Sequence, residues 1–131
     1  MLWRISTLLL VVALVAGSLA IAAPVANAVP TKTVKAASGD RWKPGTVHLY
    51  RRGGKGVVKW TNPTNRVGGH DVKSINEGAR WFLKRKHLKN NSKNFARKTF
   101  KRPGTFWFRC TLHSAKVGGK WTGMFGKVRV H

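Results

Sequence analysis

From residue 29 to residue 131 the chain is cut into strand-length pieces, and no long stretch carries the apolar spacing of an amphipathic helix. Segments 46–50, 57–61, 70–75, 95–100, 105–110 and 126–131 are rich in β-branched and aromatic residues. Between them lie turn formers: Pro44-Gly45, Gly53-Gly54, Asn62-Pro63, Gly68-Gly69, Gly78, Pro103-Gly104 and Gly123. Short strands separated by Gly and Pro predict an all-β sandwich. Residues 29–38 form a basic lead-in expected to become an edge strand. The apolar cluster 81–83, inside a basic stretch reaching Lys93, fits either a helical turn or an irregular crossover. Side-chain parity predicts the buried faces. Val58 and Trp60 share one side, as do Val128 and Val130. In 105–110, Phe106, Phe108 and Cys110 face one way, and Trp107 and Arg109 the other.

Residues 1–28 have the form of a cleavable signal peptide. Arg4 gives a positive start, residues 8–16 are an unbroken apolar run, and Ala26-Asn27-Ala28 offers a small-x-small cleavage site. Ser6, Thr7, Gly17, Ser18 and Pro24 argue against a retained anchor, so no stable membrane span is expected after cleavage. The expected product, residues 29–131, is a single domain in a secreted, periplasmic or otherwise extracytoplasmic setting. Lys and Arg number 26 against three acids, Asp40, Asp71 and Glu77, for a formal charge of +23. Such a charge attracts polyanions and opposes compaction. Yet every Phe, and every Trp but Trp3, lies beyond residue 28, which supplies a core and excludes a disordered polycation.

Cys110 is the only cysteine. Exported proteins usually pair their cysteines, so a single one is an intermolecular bridge, an inert buried thiol or a metal ligand. It begins Cys110-Thr111-Leu112-His113, read as a loop following a buried strand. His70 lies upstream at the start of a strand, and Met124 downstream in Gly123-Met124-Phe125-Gly126. A thiolate, two imidazoles and a distant thioether make up the donor set of a blue-copper centre. The soft sulfurs favour Cu(I), and imidazole suits both Cu(I) and Cu(II). By parity Cys110 points into an apolar interior, and His70 shares a face with Val72.

Four blocks resemble the plastocyanin/azurin-like cupredoxins, the blue-copper family. They are Val57-Val58-Lys59-Trp60-Thr61-Asn62, His70-Asp71-Val72, Pro103-Gly104-Thr105-Phe106-Trp107-Phe108-Arg109-Cys110-Thr111-Leu112-His113, and Gly123-Met124-Phe125-Gly126-Lys127-Val128. The resemblance covers nearly all of 29–131 and implies a Greek-key β-sandwich with one copper ion at one end. It assigns His70, Cys110 and His113 as ligands and Met124 as the axial ligand. Asp71 it places behind them, tying the ligand loops together by hydrogen bonds. The chain departs from the family in one place. Ten residues, Ser114 to Gly123, separate His113 from Met124, more than is usual there.

Other uses of these residues are weaker. Structural zinc wants four strong ligands and commonly two or more cysteines. A Cys–His hydrolase would need an oxyanion loop, and none is evident. His48, His87 and His131 read as surface or edge residues, and Trp121 as a possible neighbour of the ligands or of a partner. Lys84-Arg85-Lys86-His87-Leu88-Lys89 resembles a heparin or nucleic-acid patch. Two functions follow as expectations. The first is a non-enzymatic, monomeric one-electron carrier, steered by its charge to an acidic redox partner. Copper storage or delivery is a close variant. The second is a polyanion-binding protein on a cupredoxin scaffold, directed at an anionic cell-surface polymer or nucleic acid.

Overall fold

The computed structural model describes residues 28–63, 69–76, 80–84, 88–89 and 95–131. The expected signal peptide lies almost entirely outside the described residues. So do Gly68, Glu77, Gly78, Lys93 and the Arg85-Lys86-His87 part of the basic stretch.

Among the described residues nine strands form two sheets. They are β1 (Thr31–Ala37), β2 (Arg41–Lys43), β3 (Thr46–Leu49), β4 (Gly56–Thr61), β5 (Val72–Ser74), β6 (Phe82–Leu83), β7 (Phe95–Phe100), β8 (Gly104–Val117) and β9 (Lys120–Val130). One sheet has the order β2-β1-β4-β7 and the other β3-β9-β8-β5-β6. The β1/β4 and β3/β9 pairs are parallel and the remaining pairs antiparallel. The all-β sandwich expected from the sequence is therefore the observed fold.

Burial explains the alternation. Val34, Val58, Trp60, Leu49, Val72, Phe108, Cys110, Met124 and Val128 are fully buried between the sheets. Trp60 anchors the centre, its ring 5.2 Å from that of Phe108 in an edge-on packing and 5.7 Å from Trp81.

Three local expectations change. β1 is an inner strand, hydrogen-bonded to β2 on one side and β4 on the other. Its lysines face water while Val34 and Ala36 face the core. The 81–83 cluster is neither a helical turn nor a crossover. Phe82 and Leu83 form the short strand β6 that closes the sheet edge beside β5. The third change concerns the Cys-x-x-His segment and the ten residues after it. β8 runs through Cys110 to Val117, and residues 114–123 fold as a hairpin that prolongs β8 and β9. Ser114, Ala115, Lys116 and Val117 pair with Gly123, Thr122, Trp121 and Lys120. The two-residue turn is Gly118-Gly119, with φ of 54° and 79°, the left-handed values that a tight hairpin demands. The inserted length is taken up by this hairpin, which leads the chain out and back to β9.

Candidate metal centre

The hairpin ladder breaks once, between Arg109 and Ser114. Arg109 pairs with Phe125 and Ser114 with Gly123. The four residues 110–113 of β8 thus bulge opposite the single residue Met124 of β9. Two hydrogen bonds brace the bulge. The Ser114 hydroxyl donates to the Cys110 carbonyl at 2.5 Å, and Arg109 Nη1 donates to Ser114 Oγ at 3.3 Å. The Arg109 guanidinium also lies 4.4 Å from the ring centre of Trp121, fastening the hairpin to the strand below. Trp121 therefore contacts Arg109.

Gly123 makes the close approach possible. Its φ is 82°, and a Cβ there would lie 2.3 Å from the His113 carbonyl oxygen. Only glycine lets β9 pass so near the bulge.

His70 comes from the segment leading into β5, two residues ahead of the strand. Its backbone N–H donates to the Leu88 carbonyl at 3.0 Å. The buried Asn62 side chain donates to the same carbonyl at 3.1 Å. Next to His70, the buried Asp71 carboxylate reaches across to the bulge. It accepts the Thr111 backbone N–H at 2.6 Å through Oδ1 and the Thr111 hydroxyl through Oδ2. Asp71 thus joins the segment that carries His70 to the bulge by two hydrogen bonds.

These supports bring three donors together. His70 Nδ1 and His113 Nδ1 are 3.1 Å apart, and Cys110 Sγ is 3.4 Å from His113 Nδ1 and 3.9 Å from His70 Nδ1. With bonds of about 2.0–2.3 Å, donors sharing one first-row ion in trigonal to tetrahedral array lie roughly 3.3–3.8 Å apart. The observed separations scatter about that range. Cys110 and His70 are buried, and His113 is half-buried. Met124, fully buried, occupies the inward register position facing the bulge. Burial pushes the Cys110 thiol above its ordinary pKa. The Asp71 and Leu112 backbone N–H groups oppose that rise, the Asp71 charge adds to it, and the His113 N–H opposes it more weakly. A metal binding there displaces the thiol proton.

His48 and His131 stay apart from this cluster. They pair with each other, His48 Nδ1 to His131 Nε2 at 3.0 Å, with Tyr50 stacked on His131. Asn62, Ser114 and Leu88 escaped sequence reasoning. Asn62, next to Pro63, resembles a turn residue, Ser114 carries no motif, and Leu88 acts through its backbone.

A β-sandwich in which two histidines and a cysteine converge at a strand bulge is cupredoxin-like, and its donor set suits one copper ion. Solved structures share the fold. A reduced Cu(I) form of an amicyanin variant is 24% identical, with a TM-score of 0.56, over 79% of this chain and 85% of that one. A Sinorhizobium pseudoazurin is 18% identical, with a TM-score of 0.51, over 79% and 75%. The Cu-containing nitrite reductase of Thermus scotoductus is 21% identical, with a TM-score of 0.59, over 86% of this chain but only 24% of the enzyme. No protein-family model matches the sequence, and no curated protein matches it.

Proposed function

We propose that this chain is an exported, mononuclear copper protein that carries single electrons without turning over a substrate. The observation that carries the reading is the convergence of Cys110, His70 and His113 within hydrogen-bonding distances of one another in a buried site. His70, Cys110 and His113 would hold the ion, with Met124 as the axial thioether from β9. Copper would supply the one-electron Cu(I)/Cu(II) couple. The chain's own groups hold the donors still. Asp71 clamps Thr111, Asn62 and Leu88 fix the approach of His70, and Ser114 with Arg109 braces the bulge. Trp42, 5.7 Å from the His70 ring and 6.3 Å from Phe108, walls the buried side and keeps water out.

His113 is the half-buried donor, beside Leu112, which is 50% exposed. A redox partner would dock there, and the surplus of lysine and arginine favours an acidic one. The signal-like residues 1–28 support an extracytoplasmic location, periplasmic or secreted. No helix among the described residues is long and apolar enough to cross a membrane.

Copper titration followed by voltammetry tests the proposal. One copper per chain and a reversible one-electron wave are expected, both lost in Cys110→Ser. Tight binding without a reversible wave would replace electron carriage by copper storage or delivery. Failure to bind copper at this site would remove both.

A further inference from the structure

The outer face of the five-stranded sheet carries a pattern that core packing does not require. In β8 and β9 the inward residues Phe106, Phe108 and Val128 fill the interior, and the outward ones mix rings with cations. Trp107 pairs with Lys127, and Arg109 with Phe125. The pattern continues sideways. Lys73 of β5 pairs with Arg109 and with Phe82 of β6, and His48 of β3 pairs with Arg129 of β9. None of these five strands contains an acidic residue.

Phe82 is 50% exposed and Trp107 37%. Trp107 stacks on Phe125 with planes 29° apart, and Lys127 Nζ sits 4.8 Å from the Trp107 ring centre. Trp107 is thus held in place by neighbours on the sheet. Successive outward cations on β9, Lys127 and Arg129, spring from Cα positions about 6.8 Å apart, twice the strand rise and close to the stride of a stretched sugar-phosphate chain.

A partner that satisfies this face must bring flat rings for Trp107 and Phe82 and a regular line of negative charge for the cations. A duplex hides its bases. A sulfated glycan has the charge without the aromatic faces, and an acidic polypeptide has carboxylates but few rings. We propose that the outer face of β3-β9-β8-β5-β6 binds single-stranded nucleic acid, bases stacking on Trp107 and Phe82 and phosphates meeting Lys73, Lys127 and Arg129. This site is separate from the metal centre and stands whether or not copper binds.

The test is fluorescence anisotropy of a labelled oligothymidylate of about a dozen nucleotides with the intact protein. The single strand should bind more tightly than a duplex of equal length, than heparin and than polyglutamate. Trp107→Ala with Phe82→Ala should weaken it about ten-fold or more, and Trp107→Phe should retain most of the affinity. Lys127→Gln with Arg129→Gln should reduce the slope of log K against log salt by roughly 1.4. Lys35→Gln with Lys43→Gln removes equal charge from the exposed side of the other sheet and should leave the single-strand preference intact. Unchanged thermal midpoints identify variants that remain folded. Equal binding of duplex, heparin or polyglutamate would overturn the proposal. So would indifference to the ring substitutions, or equal damage from the two double charge variants, since attraction would then belong to the whole molecule's charge.

Discussion

Gly123→Ala is the substitution whose cost follows most directly from the structure. The new Cβ would sit 2.3 Å from the His113 carbonyl oxygen and 3.2 Å from Ser114 Cα, both backbone atoms that no rotamer change can relieve. Ordinary contact begins near 3.4 Å, so β9 and the bulge must separate by about an ångström. The φ of 82° adds the left-handed penalty of about 1–2 kcal/mol for a residue bearing a Cβ. Gly119→Ala isolates that second term, since its φ is 79° but a Cβ there meets nothing within 4 Å. We expect Gly119→Ala to cost about 1–2 kcal/mol and to leave copper affinity unchanged. Gly123→Ala should cost about 3–5 kcal/mol, a large mutational effect, and weaken copper binding as His113 is displaced. Urea denaturation of the copper-free protein reads the first quantity, and competitive copper titration the second. If both variants lose equal stability and both keep wild-type affinity, the close approach of β9 to His113 has no role in shaping the site.

Other substitutions separate the supports. Asp71→Ala removes the acceptor for both Thr111 donors and should destabilise by about 2–3 kcal/mol in chemical denaturation. Asp71→Asn, which still accepts from the Thr111 N–H, should lose about half as much. Met124→Leu keeps the buried volume and should cost less than about 1.5 kcal/mol. It should nevertheless shift the reduction potential, and an unmoved potential would remove Met124 from the ligand set. Asn62→Ala leaves the Leu88 carbonyl with one donor fewer and should cost about 1–2 kcal/mol, with a measurable fall in copper affinity.

Much of this architecture was legible in the residues. The parity of Phe106, Phe108 and Cys110 predicts their inward face, and Cys110 and Phe108 are fully buried while Phe106 packs partly against the core. Charge misled at β1. Its lysines suggest an edge, but two strands pair with it, and the lysines need only point to water. The 114–123 hairpin was invisible to periodicity because its residues are mostly solvated on both faces. Gly118-Gly119 was its one readable signal, a two-residue turn inside what otherwise looks like a long loop. Phe82-Leu83 is too short to show a period at all. At the site, donor chemistry singled out His70, Cys110 and His113, which the fold brings together, while the supports at Asn62 and Leu88 depend on tertiary contacts between residues 26 positions apart.

On the proposed reading, the Cys110 sulfur binds copper together with His70 and His113. A visible and electron-spin-resonance spectrum of the Cu(II)-loaded protein, recorded beside Cys110→Ser, tests it most directly. Copper bound through the Cys110 sulfur should give an intense sulfur-to-copper charge-transfer band that Cys110→Ser abolishes. A colourless Cu(II) protein, or a spectrum that Cys110→Ser leaves unchanged, would contradict it.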